Sequence, residues 1–155
     1  MLKNQQFEKV AKLLIKYPDI INSLRDEHEQ TLMMEAAYKR KDCVKFLSKI
    51  PHDISVVDDE GQNVLHYIVW YNDDDDAIEL LKCLDVSQLN YNIINKQTIF
   101  QLTPLNHAAT RNNHESIRWL LNHQADVSIE DVGGLRPDEQ DECDEETKRI
   151  FRQYW

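Results

Sequence analysis

The sequence predicts an all-α repeat solenoid, a stack of helix-turn-helix units with β-hairpin loops projecting from it. Two observations carry that expectation. A helix start recurs at Thr31, Asn63, Thr103 and Arg136, at intervals of 32, 40 and 33 residues, and self-similarity at a period of about 20–50 residues marks units that bury their apolar faces by stacking. Glycine is scarce, with 3 in 155 residues, which argues against a turn-rich β fold and against a glycine-rich phosphate loop.

From the N-terminus, Phe7, Val10, Ala11, Leu13, Leu14 and Tyr17 fall at helical spacing. Pro18 ends that helix, because it has no N–H and disfavours helical geometry at Tyr17. Thr31 then precedes Leu32-Met33-Met34-Glu35-Ala36-Ala37, and a second helix is expected near 42–47, with Asp42 as N-cap and Val44 and Leu47 on one face. Asn63 opens the next unit at Val64-Leu65-His66, and Trp70-Tyr71 stand where its first helix ends. Asp73-Asp74-Asp75-Asp76 precede Ala77-Ile78-Glu79-Leu80-Leu81-Lys82. Carboxylates at a helix start satisfy free N–H groups and complement the dipole by about 0.3–1 kcal/mol each at best, although four together repel.

The interval of 40 exceeds a period of about 33 by 7 residues, most of them between Leu84 and Leu102. Asn90 to Thr98, rich in Asn and β-branched residues, reads as an enlarged β-hairpin loop. In Thr103-Pro104-Leu105-Asn106-His107-Ala108-Ala109, Thr103 caps the helix and Pro104 suits its first position. Leu105, Ala108 and Ala109 form a narrow apolar face that a neighbouring helix can approach closely. Asn112-Asn113 makes a turn before the helix His114–Leu121. The last unit opens at Asp131-Val132-Gly133-Gly134-Leu135-Arg136-Pro137. Its first helix is acidic, with Asp138, Glu139, Asp141, Glu142 and Asp144, and a closing helix is expected over Glu145–Trp155.

These stretches resemble the ankyrin repeat, with its T-P-L-H-x-A signature and period of about 33 residues. The Thr103 stretch matches with Asn106 at the His position, and Ala125-Asp126-Val127 matches the usual repeat ending with Gln124 at its Gly position. At the second unit Glu29 stands for the turn Gly, Leu32 for Pro and Met34 for His; at the third, Gly61 and His66 match and Asn63 replaces Thr. The resemblance implies one domain over 1–155, with units 1–25 (N-terminal cap), 26–57, 58–97 (with the enlarged loop), 98–130 and 131–155 (C-terminal cap). The 1–25 unit lacks most of its first helix, so it is either a degenerate cap or the inside of a longer array. Leu47, Leu65, Leu81, Leu105 and Leu121 are the expected stacking core.

Composition narrows the function. The formal net charge of −10 disfavours nucleic-acid phosphate and anionic membrane, and favours a protein partner with a basic or mixed surface. Cys43, Cys83 and Cys143 lie far apart with no C-x-x-C, as reduced thiols of an intracellular protein, cytoplasmic with the nucleus as the alternative. Cys143 lies among carboxylates that raise its pKa. Neither a signal peptide nor a membrane segment is expected. No nucleophile motif, phosphate loop or HExxH is present, so the expectation is a monomer that is not an enzyme and has no cofactor and no metal site. The Asp73–Asp76 run lacks the alternation, Gly and closing Glu of an EF-hand.

The resemblance implies that protein partners lie along the concave face built from loop tips and first helices. Carried onto this chain, the tip positions include Glu27, His28 and Gln30; Asp59, Glu60 and Gln62; Ile99, Phe100 and Leu102; and Val132, Gly133 and Leu135. The helix positions are Tyr38 and Lys39, Trp70 and Tyr71, and Thr110 and Arg111. The binding set is therefore Tyr38, Lys39, Asp59, Glu60, Trp70, Tyr71, Ile99, Phe100, Arg111 and Val132. Aromatic residues and Arg dominate interface energy, but Trp70 and Tyr71 are equally explained by packing between helices, and Ile99-Phe100 are better explained by folding under the enlarged loop as core. His66 is expected to make structural hydrogen bonds, and His107 to face a neighbour or solvent. The role is a non-catalytic interaction module that masks a transcription factor or kinase, or alternatively a substrate-recruiting or regulatory ankyrin domain of a larger enzyme.

Overall fold

The computed structural model describes residues 12–39 and 41–154, so the N-terminal positions Phe7, Val10 and Ala11, and Trp155, lie outside it. Residues 12–16 are helical and end before Pro18. Then follow α1 (Asp19–Ser23), α2 (Leu32–Lys39), α3 (Lys41–Leu47), α4 (Val64–Tyr71), α5 (Asp74–Cys83), α6 (Tyr91–Ile94), α7 (Pro104–Thr110), α8 (His114–Asn122) and α9 (Glu145–Phe151). Two short 3-10 turns, Val86–Gln88 and Pro137–Glu139, complete the order.

The helices form two layers. The first-helix layer runs α2, α4, α7 and the 137–139 turn, and the second-helix layer runs α3, α5, α8 and α9, each element packed on its successor. Leu65, Leu81 and Leu105 are fully buried between them, and Leu47 and Leu121 nearly so. Each first helix is capped alike: Thr31 Oγ1, Asn63 Oδ1 and Thr103 Oγ1 accept from the backbone N–H three residues on, in Met34, His66 and Asn106, at 3.2, 3.3 and 3.2 Å. These residues sit at equivalent corners, which is what the recurring starts predict.

The hairpin tips repeat just as closely. Asp26, Asp58, Thr98 and Asp131 each donate the backbone N–H to the carbonyl of the residue four positions on, and their side chains accept N–H groups from inside the same turn. The fourth tip position has left-handed geometry in Glu29, Gly61, Gln101 and Gly134 (φ 60, 80, 60 and 76°). Only Gly meets that geometry without steric penalty. Backbone bonds join tip to tip: Asp59 N–H to His28 carbonyl (3.1 Å), Ile99 N–H to Glu60 carbonyl (2.9 Å) and Val132 N–H to Phe100 carbonyl (3.1 Å). No strand occurs among the described residues. The sheet character of the hairpins is one isolated antiparallel bridge, Arg25 with Thr31.

Two expectations need correction. The enlarged loop is not a β-hairpin. Asp85 accepts from Ser87 N–H (3.0 Å) and Asn90 from Asn92 and Ile93 N–H (3.0 and 3.2 Å), and these caps wind it into the 86–88 turn and α6. Ile94 is buried, and Asn95 ties the loop to the following unit by bonds to Gln124 carbonyl (3.3 Å) and Asp126 N–H (2.8 Å). The second correction concerns Asp42, which lies in the first turn of α3 and not before it. The acidic first helix of the last unit is reduced to the single turn Pro137–Glu139, followed by α9.

The acidic run has a role beyond its own helix. Asp73 caps α5 by accepting from Asp76 N–H (3.0 Å). Asp74 reaches across to α8 and accepts from Glu115 N–H (2.8 Å), Ser116 N–H (2.9 Å) and Ser116 Oγ (2.9 Å). Asn113, the residue before α8, makes no side-chain cap there, since its amide donates to Val69 and Asn72 carbonyls at 3.0 and 3.3 Å. The second-helix layer is further linked by Lys45 with Glu79 (2.8 Å) and Arg118 with Glu146 (2.7 Å).

Candidate protein-binding face

The ends of α2, α4 and α7 bring the predicted helix residues together. Tyr38 and Tyr71 are both exposed, with ring centroids 4.5 Å apart, and Tyr67 lies 5.5 Å behind Tyr71. Burial raises the pKa of the Tyr71 phenol, so it stays a neutral donor. Lys39 Nζ sits 5.0 Å from the centre of the Tyr38 ring and 2.9 Å from Glu35, whose carboxylate bond holds the amine above its usual pKa. Trp70 is half-buried, 4.9 Å from His107, and the Arg111 guanidinium stands 5.9 Å from the indole centre. Trp70 therefore packs between helices, while Tyr71 presents itself to solvent.

The tip residues form the other edge. Asp59 and Glu60 are exposed. Ile99, Phe100 and Val132 are 62, 53 and 68% exposed. Ile99-Phe100 is therefore surface and not core. The tips are polar at one end, with Glu27, Glu29, Asp59 and Glu60, and apolar at the other. Edge and helices meet at a cleft of about 160 Å³ lined by Glu60, Gln62, Trp70, Tyr71, Phe100 and His107 among others.

Of the two alternatives for His107, a neighbour or solvent, the structure has the first. His107 faces the neighbouring rings of His66 and Trp70 and not solvent, and does not repeat the role of His66; it is 8% exposed, with its ring 5.3 Å from the His66 ring and 4.9 Å from that of Trp70. Burial lowers its pKa to about 4, and burial followed by the repulsion that a second imidazolium would meet beside His107 lowers that of His66 to about 3, so both rings are neutral. His66 does make structural bonds: Nδ1 accepts from Asn63 N–H (3.1 Å) and Nε2–H donates to Leu102 carbonyl (3.2 Å). The fully buried Asn106, one residue before His107 and at the His position, leaves its Nδ2 without a partner among the described residues. A signal existed in the sequence: His107 occupies the place in its unit that Tyr67 and Glu35 hold in theirs, on the groove side of the first helix.

Cys43 and Cys83 are half-buried, and Cys143 is buried, its thiol pushed up to about 11 first by desolvation and then by the carboxylates of Asp138, Glu142 and Asp144. No cluster of three metal-ligating side chains occurs among the described residues, and none of their helices is long and apolar enough to cross a membrane.

Comparison with known families agrees with this geometry. The family described as ankyrin repeats (three copies) matches residues 1–92 and 49–131. Comparison with curated proteins returns no match. Ankyrin repeats are in general protein–protein interaction modules and typically lack catalysis. Two layers of paired helices, tips joined in register and a match reaching from residue 1 to residue 131 lead to one conclusion: this chain belongs to the ankyrin repeat family.

Proposed function

We propose that this chain is a non-catalytic module that binds a protein partner of basic or mixed surface along its concave face. One observation carries the reading. Tyr38, Tyr71, Ile99, Phe100 and Val132 are large apolar or aromatic side chains left exposed on consecutive units, while the acidic residues Asp59 and Glu60 stand beside them. Exposed aromatic groups in a row, rimmed by charge, are the composition of an interface core and its rim.

The test is affinity capture with the wild type, Tyr71→Ala/Phe100→Ala and Val86→Ala, each checked for native helical content and melting temperature. Val86 is equally exposed but lies in the enlarged loop. The concave-face variant is expected to lose the captured proteins and Val86→Ala to retain them. Retention of the same proteins by a folded Tyr71→Ala/Phe100→Ala variant would remove this face from consideration.

A further inference from the structure

The cleft between the second and third tips is walled by three aromatic rings, Trp70, Tyr71 and Phe100, and carries one carboxylate, Glu60. No lysine or arginine lines it among the described residues. Aromatic faces beside a carboxylate attract a cation, because the ring quadrupole and the anion act in the same direction. The chain already demonstrates the first half of this: Arg111 stands over the Trp70 ring at 5.9 Å. The surroundings add to the field. Glu27, Glu29 and Asp59 are exposed on the two tips leading to the cleft, and His28, 3.5 Å from Asp59, is the one basic side chain among them. In the lining, His107 Nδ1 is buried without a hydrogen-bond partner among the described residues, so this end of the groove is not saturated by internal bonds.

We infer that this cleft receives a lysine or arginine side chain of the protein partner, its charged head set against Glu60 and its stem against Trp70, Tyr71 and Phe100. The inference rests on the concave face being the binding face, and names the chemistry that face selects.

The probe is a library of random dodecapeptides displayed on phage, panned against the whole chain at physiological salt. The enriched peptides are then labelled and measured by fluorescence anisotropy against wild type, Glu60→Gln, Glu142→Gln and Tyr71→Ala. Peptides carrying one recurrent Lys or Arg are expected, with its replacement by norleucine weakening binding about tenfold. Glu60→Gln is expected to weaken the same peptides about three- to tenfold, whereas Glu142→Gln, an equal change of charge at the C-terminal cap, alters affinity less than about twofold. Groove peptides that Tyr71→Ala abolishes, but that lack a recurrent basic residue or respond no more to Glu60→Gln than to Glu142→Gln, overturn the cation site and leave the concave-face reading standing. A selection with no peptide sensitive to Tyr71→Ala overturns both.

Discussion

Asp74→Ala isolates a bond pattern that spans two units. The carboxylate accepts two backbone N–H groups and one hydroxyl at the start of α8, at 2.8, 2.9 and 2.9 Å, and the residue that would normally cap this helix, Asn113, is committed elsewhere. Removing it strips α8 of the side-chain cap that the described residues supply. Loss of an N-cap costs about 0.5–2 kcal/mol, and hydrogen bonds to a charged group contribute about 1.5–3 kcal/mol. Partial exposure of Asp74 lets water replace some of this, so the expected loss is about 2 kcal/mol. In a domain of this size that corresponds to about 4–8 °C in melting temperature. Asp75→Ala is the matched control, since it removes the same charge from the same turn of α5 and is exposed. Its expected effect is within about 0.5 kcal/mol. Urea denaturation followed by circular dichroism gives both numbers, and hydrogen exchange should show the Glu115 and Ser116 amides losing protection in Asp74→Ala alone. Equal destabilisation by the two substitutions would show that the acidic run acts only through its own helix, and the cross-unit cap would be discarded.

Two other outcomes are expected from the interior and the tips. His66 and His107 have folded pKa values of about 3 and about 4 against an ordinary 6.5, so the unfolded chain binds protons in a range where the folded chain does not. Stability is therefore present above pH 6.5 and is lost as pH falls toward 4, by about 1.4 kcal/mol per pH unit for each ring, or about 4 kcal/mol between pH 7 and 5. A denaturation midpoint unchanged from pH 7 to 5 would contradict neutral burial of the pair. Gly61→Ala places a Cβ at φ +80°, 3.4 Å from Gln97 carbonyl and Thr98 Cα, and is expected to lower stability by about 1–2 kcal/mol in the same denaturation assay.

The repeat register is legible in the sequence because capping is local. Thr31, Asn63 and Thr103 are recognisable by their own side chains and by the residue three positions further on, and the structure uses them that way. The exposure of Ile99-Phe100 is not legible in the same way, since an apolar pair beside an enlarged loop reads equally as buried under it, and only the folded tip, 62 and 53% exposed, separates the two. The enlarged loop differs from its expectation although a local signal is present. Asp85 two residues before Ser87, and Asn90 before Asn92-Ile93, are capping patterns, but Asn and β-branched content is shared with hairpins and masks them. Asp74 is out of reach for a different reason: its partners lie 41 and 42 residues downstream, and nothing in the run Asp73–Asp76 distinguishes the second carboxylate from the third.

The tip-to-tip bonds have one more consequence. Each is donated by a main-chain N–H, from residues 59, 99 and 132, and accepted by a main-chain carbonyl, so tip is joined to tip without regard to the side chains at those three places. Only proline, which has no N–H to give, is barred from those three places. At those three places the surface chemistry can be rewritten while the scaffold underneath stays put, and an acidic rim on one half with a greasy one on the other is one of many inscriptions the same frame would hold.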